Sequence, residues 1–168
     1  MPIKDITQPE VINIDEHLRL RRYDGKHDFA IAWYQDQELV RMIDGDTTPY
    51  SVEKVKRMYD YLDRHGELYF IEVKEQEVFV PIGDVTFWQE DMPIVIGDIE
   101  YRGKGIGKKV VHTLIERARQ IGYEEIFVGE IFDFNIASRK CFESMGFQEC
   151  GTTTLGHRYC LALTGQDE

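Results

Sequence analysis

The chain predicts an α/β fold built on a mixed central sheet of six to seven strands, with helices on both faces. Two observations carry this. A run of strand-like segments comes before any strand–helix alternation, which argues against a fully wound parallel sheet. Apolar strands then alternate with amphipathic helices in the second half. The 168 residues suit a single domain, with 1–16 as an N-terminal extension and 83–150 as the segment of greatest interest.

The elements follow in order. His17–Tyr23 alternates apolar and polar residues, the period of a half-buried strand, and Asp24-Gly25 breaks it. Asp28–Arg41 reads as one helix. Asp44–Pro49 is a loop, and Ser51 is placed to cap a second helix that ends near His65-Gly66. Leu68–Val73 is rich in aromatic and β-branched residues, as strands are. Val78–Trp88 is the next strand, with Pro81 and Gly83 suggesting an irregular or edge position. Ile94–Ile96 is short and wholly apolar. Gly107–Gln120 is a helix with Val110, Val111, Leu114, Ile115 and Ala118 on one face, and Gly122 suits its C-terminal cap. Glu125–Val128 is a strand, Asn135–Met145 a helix ended by Gly146, and 147–150 and 158–163 are closing strands.

Composition excludes several classes. The formal net charge is −11, whereas phosphate backbones select basic surfaces, so nucleic acid is not expected as a partner. No apolar run approaches the roughly 20 residues that span a bilayer, and no signal-like leader opens the chain. No membrane partner is expected, and the cytoplasm is the expected location. Cys141, Cys150 and Cys160 lack metal-ligand spacing, so reduced thiols and no metal are expected.

The stretch from Ile94 to Lys109 is the most informative. An apolar strand leads to a glycine-rich turn, and the turn opens onto an amphipathic helix. The first N–H groups of a helix lack internal partners and, with the helix dipole, form an anion site. Gly103, Gly105 and Gly107 let the main chain approach a phosphate closely. From Tyr101 to Arg119 six basic residues face one acid, a positive island on an acidic chain. A dinucleotide fingerprint fits poorly, because that turn follows the first strand of its unit. A Walker loop is excluded, because no Gly-Lys-Ser/Thr ending follows.

Arg102-Gly103-Lys104-Gly105-Ile106-Gly107 resembles the pyrophosphate loop of the GNAT acyltransferases, Arg/Gln-x-x-Gly-x-Gly/Ala. Asn135-Ile136-Ala137-Ser138, continuing to Phe142-Glu143-Ser144-Met145-Gly146-Phe147, resembles a second motif of that family. Two motifs in the right order are more specific than either alone. The resemblance is strong over about 83–150. In the first half it covers only element order, most closely that of the branches acetylating ribosomal-protein termini and aminoglycosides.

The resemblance implies a GNAT-type fold and acetyl-CoA as the acyl donor. It implies that Arg102, Gly103, Lys104, Gly105, Ile106, Gly107 and Lys108 hold the pyrophosphate. Ile94, Val95, Ile96, Gly97 and Asp98 would meet the pantetheine arm through the main chain, one N–H serving as an oxyanion donor. Asn135 would bond the arm, although a helix N-cap is an equally natural role for it. Ser138 and Lys140 would flank the coenzyme. Glu90 and Asp91 are the acids nearest the position where related enzymes often hold a base. The family's acid, a Tyr, is replaced by Phe142, which has no proton to donate.

Trp33, Tyr34, Asp44, Asp46 and Trp88 are the residues expected to meet the acceptor. The acidity suits a polycationic amine such as an aminoglycoside. A protein N-terminus is the alternative acceptor, and a non-catalytic module sensing acyl-CoA is the alternative role. Homodimers are common in the superfamily, so a dimer is the expectation by analogy.

Overall fold

The structure, a computed structural model, describes residues 1–163. Those residues fall into two units. One comprises Met1–Thr86 and Ile94–Lys104, the other Phe87–Pro93 and the chain from Gly105 onward.

The first unit holds a five-stranded sheet in the order β1-β2-β3-β4-β5. Its strands are β1 (Val11–Asp15), β2 (Leu18–Arg22), β3 (Glu67–Glu75), β4 (Val78–Phe87) and β5 (Ile94–Ile96). β1 lies in the stretch read above as an N-terminal extension. It pairs antiparallel with β2, which pairs antiparallel with β3. A two-residue turn, Gln76 and Glu77, joins β3 to β4 with both φ values positive, the form that matches strand twist. β5 pairs antiparallel with β4 and forms the edge of the sheet. The two approach so closely that a Cβ on Gly83 would meet the Val95 carbonyl oxygen, which explains glycine there.

The expected helix over 28–41 is two pieces, a 3₁₀ segment Asp28–Gln35 and α1 (Gln37–Asp44). Asp36 causes the break. Its backbone is extended, and its carboxylate accepts from the N–H groups of Glu38 and Leu39 to start a new helix. α2 (Val52–His65) begins as expected, with the Ser51 hydroxyl accepting from Lys54 N–H at 3.1 Å.

Leu20, Val55, Phe70, Ile71 and Val85 are fully buried in this unit. Two polar arrangements are buried with them. Glu72 accepts from Arg19 at 2.7 Å and Arg21 at 2.8 Å across the β2–β3 ladder. Asp84, 2% exposed, receives the hydroxyls of Tyr34 and Tyr59 on one oxygen at 2.6 and 2.8 Å.

The second unit holds a three-stranded antiparallel sheet in the order β6-β8-β7. β6 is Glu125–Phe132, β7 Gln148–Thr152 and β8 Gly156–Ala162. α3 (Ile106–Ile121) buries Val110, Val111, Leu114, Ile115 and Ala118, and Gly122 closes it in the left-handed conformation, as expected. α4 (Ile136–Ser144) buries Phe142, whose ring meets Phe147 edge-on. Among the described residues eight strands thus form two ladders, of five and of three; the mixed helix-and-strand class is as expected, and the strand count is close to the six to seven expected. Hydropathy reveals that a segment is a strand, but not which neighbour takes its main-chain bonds. Among the described residues no helix is long and apolar enough to cross a membrane.

Asp84 makes stability depend on pH. Burial pushes its carboxyl from 3.8 up to about 6, against the two tyrosine hydrogen bonds that pull it down. The folded chain therefore holds this proton more tightly than the unfolded chain. The stability linked to it is fully present below about pH 4 and is lost as pH rises through about 6. The loss should be about 3 kcal/mol, the free energy that this rise in carboxyl affinity for its proton represents. Denaturant unfolding across that window should find a decline in wild type that is smaller by about this amount in Asp84→Asn.

Candidate functional site

Helix starts separate one element from the others. α1 is capped by the Asp36 carboxylate, α2 by the Ser51 hydroxyl and α4 by the Asn135 side chain. α3 alone among the described α-helices has no side-chain cap. Its N-cap is Gly105, at φ 80°. The first bond of its ladder runs from Lys109 N–H to the Gly105 carbonyl. The N–H groups of Ile106, Gly107 and Lys108 precede that bond, where a helix has no internal acceptor. A Cβ at Gly105 would meet nothing within 4 Å, so the approach to these donors is open. The helix is 16 residues long, has no acid in its first turn and exposes Lys108 and Lys109 there. Each feature favours an anion at this end.

Gly107 lies on the α4 side of this end, where a Cβ would stand 3.6 Å from the Cys141 sulfur. Burial pushes the Cys141 thiol up, against the opposing charge of Lys108. It behaves as a packed thiol rather than a nucleophile. Asn135 accepts from Ser138 N–H at 3.2 Å, the capping role foreseen for it. Lys140 is exposed.

In the first unit the loop residues hold β5. Arg102 turns back along the chain and donates to the carbonyls of Ile96 at 2.8 Å and Gly97 at 3.2 Å, with Asp36 at 3.5 Å. Its guanidinium thus braces the end of β5. Gly103 has φ 72°, and its missing Cβ also meets open space. Lys104 is exposed, and its ammonium sits 5.7 Å from the Tyr101 ring. Asp98 accepts from Glu100 N–H and caps the short turn Ile99–Tyr101.

Of the residues expected to meet an acceptor, only Trp33 lies beside this strand. A Cβ on Gly97 would fall 2.2 Å from the indole, so the ring rests directly on the Gly97 main chain. Tyr34 faces the core at 1% exposure, because its hydroxyl is committed to buried Asp84. Asp44 accepts from the Tyr50 hydroxyl and pairs with Lys54. Asp46 folds onto the N–H groups of Thr47 and Thr48, which hold its carboxyl below the usual range. A cleft of about 640 Å³ in this unit is lined by Tyr23, Asp24, His27, Asp60 and Asp63 among others, and by none of the expected site residues.

In the second unit Trp88 and Asp91 bridge through their main chains to close a turn. Glu90 is exposed and pairs with Arg158 at 2.8 Å. Asp91 is different. One carboxylate oxygen accepts from the N–H of Met92 and of Gly129, each at 2.9 Å. Burial nevertheless raises its pKa, because desolvation outweighs those two bonds. Arg158 and Gly129 escaped the sequence analysis, since nothing local marks residues whose partners lie 68 and 38 positions away.

Residues 4–147 match the Acetyltransferase (GNAT) family. Human (Homo sapiens) N-acetyltransferase 8 is 26% identical over 98 residues, which cover 54% of this chain and 43% of that protein. The match therefore spans less than half of that relative's length. The crystal structure of a domain from Methanocaldococcus jannaschii DSM 2661 superposes with a TM-score of 0.77 at 22% identity, covering 89% of this chain and 100% of that one. RimL, a ribosomal L7/L12 alpha-N-protein acetyltransferase in complex with coenzyme A, superposes with a TM-score of 0.72 at 17% identity, covering 92% and 98%. At these identities the two structures speak for the fold, and the family match speaks for descent. With both the glycine-loop and the Asn135 motifs inside the matched stretch, the chain belongs to the Acetyltransferase (GNAT) family.

Proposed function

We propose that the protein is an N-acetyltransferase that moves an acetyl group from acetyl-CoA to a primary amine. The observation that carries this is the uncapped start of α3 behind Gly105, in a family whose description is acetyl transfer. Acetyl-CoA supplies the activated acyl group as a thioester. The chain supplies the rest. The N–H groups of Ile106, Gly107 and Lys108 take the pyrophosphate, with Lys104 and Lys108 adding charge. The edge main chain of β5, Ile94–Ile96 with Gly97 and Asp98, takes the pantetheine arm and offers an N–H to the thioester oxygen. Arg102 keeps that edge in place by holding the Ile96 and Gly97 carbonyls. Asn135, Ser138 and Lys140 border the coenzyme from α4. Holding both reactants together provides much of the acceleration.

The amine must lose a proton before it attacks. Asp91 suits this better than Glu90. Its carboxyl is raised by burial and has no cation beside it, whereas Glu90 is paired with Arg158 in solvent. Phe142 is buried core, so the leaving thiolate takes its proton from elsewhere, water being the simplest donor.

The acceptor is a polycationic small amine such as an aminoglycoside, which the net charge of −11 favours. Trp33 offers that amine a flat wall beside Gly97. The likeness to RimL favours a second reading, a protein N-terminus.

Three outcomes are expected. An acceptor panel with acetyl-CoA, followed by thiol release, should give turnover with polyamine-like small molecules. Turnover on peptides alone would replace the small-molecule acceptor, and tight acetyl-CoA binding with no turnover would reduce the protein to a sensing module. Gly105→Asp places a carboxylate before α3 at a φ of 80° that a side chain resists, so thermal stability should fall by about 1 kcal/mol. Its acetyl-CoA affinity should fall at least about tenfold, or about 1.4 kcal/mol, by calorimetry; unaltered affinity would remove the loop from the site. Asp91→Asn keeps the acceptor oxygen for Met92 and Gly129 but cannot take a proton. Its kcat/KM should drop about 10²-fold or more, and wild-type kcat/KM should decline as pH falls through the raised Asp91 range. Equal pH profiles for the two proteins would clear Asp91 of this role.

A further inference from the structure

Two of the three cysteines lie on adjacent strands of the second unit, and acetyl transfer gives them no task. On β7 and β8, Gln148 faces Cys160, Glu149 faces Tyr159 and Gly151 faces Arg158. Cys150 is the additional residue of a β-bulge, with no partner in the ladder. Two bulged residues opposite one tend to lean to the same side. Gly151 does so toward Arg158, since its missing Cβ would stand 3.6 Å from the Arg158 Cβ. Arg158 and Cys160 share a face of β8, because strand side chains alternate. Cys150 therefore stands on the face of Cys160, offset by less than the two residues of an unbulged diagonal.

The environment of Cys160 agrees. Its thiol is pushed up to about 11, first by burial and next by a hydrogen bond and charge from Cys150. Such an effect requires the two sulfurs to be neighbours. Cys150 is exposed and Cys160 half-buried. Cys141 lies on α4 beside Gly107 instead. Among the described residues no group of three or more metal-ligating side chains occurs.

We propose that Cys150 and Cys160 form an oxidisable dithiol, a modification site that reacts with small-molecule disulfides such as oxidised glutathione and closes into a bridge between β7 and β8. Exposed Cys150 reacts first. Its thiolate attacks one sulfur of the disulfide, forming a mixed disulfide and releasing one glutathione thiolate. Cys160 then loses its proton to solvent, and its sulfur attacks Cys150, expelling the second glutathione thiolate. Both thiolates are protonated in solution. In net terms the protein loses two electrons and two protons, and one oxidised glutathione becomes two reduced ones. The first step prepares the second, because consuming the Cys150 thiol removes the hydrogen bond that helps hold the Cys160 proton.

The full chain would be incubated in glutathione buffers of rising disulfide fraction, quenched in acid, unfolded, alkylated and mapped by mass spectrometry. The expected product is lighter by two hydrogens, with Cys141 as its one alkylated cysteine and with reductant restoring Cys150 and Cys160. Cys160→Ser should stop at a lasting glutathione adduct on Cys150, and Cys150→Ser should leave Cys160 open to alkylation. The proposal is overturned if wild type halts at the adduct as Cys160→Ser does. It is also overturned if both thiols stay alkylatable in pure oxidised glutathione, or if the link involves Cys141 or a second chain. None of these readouts depends on acetyl transfer.

Discussion

The start of a helix confronts every protein with donors that the helix itself cannot satisfy. Among the described residues, three of the four α-helices solve this with a side chain, from Asp36, Ser51 and Asn135. α3 does not, and the glycines before it have φ values that bulkier residues resist. An unspent set of N–H groups with lysines beside it is stable in water and is strengthened by an anion. The functional reading rests on that difference between α3 and its neighbours, since the same donors, once capped, would have nothing to offer a diphosphate.

The remaining polar groups show how burial assigns roles to similar side chains. Glu72 is buried with two arginines, a charge compensated by charge. Asp84 is buried with two tyrosines and no cation, so its proton becomes easier to keep. Glu90 and Asp91 are consecutive in the chain but differ in setting. One reaches solvent and pairs with Arg158, while the other is fixed by main-chain donors and desolvated. A base that must work near neutral pH is better served by the second setting.

Main-chain access shapes β5 in the same way. Gly83 allows the close approach of β4, and Gly97 allows the indole of Trp33 to rest on the backbone. Arg102 occupies carbonyls at the end of the strand. Substituting either glycine would force heavy atoms apart, whatever the chemistry of the new side chain, so these positions are set by space and not by reactivity.

Local patterns along the chain were enough to assign the fold class, most element positions, the Ser51 and Asn135 caps, the Gly122 terminator and the glycine-rich opening of α3. All of these depend on residues within a few positions of one another, where periodicity and backbone preference act directly. These patterns did not reveal the break at Asp36, because an aspartate inside an apolar-periodic stretch reads equally well as a solvated helix residue. They also left β1 undetected and the division into two ladders open. Folding alone brings Tyr34 into the core with Asp84, Arg158 to Glu90 and Gly129 to Asp91. Partners 38 to 68 residues apart meet through folding, and no local pattern records which distant group will desolvate or satisfy them.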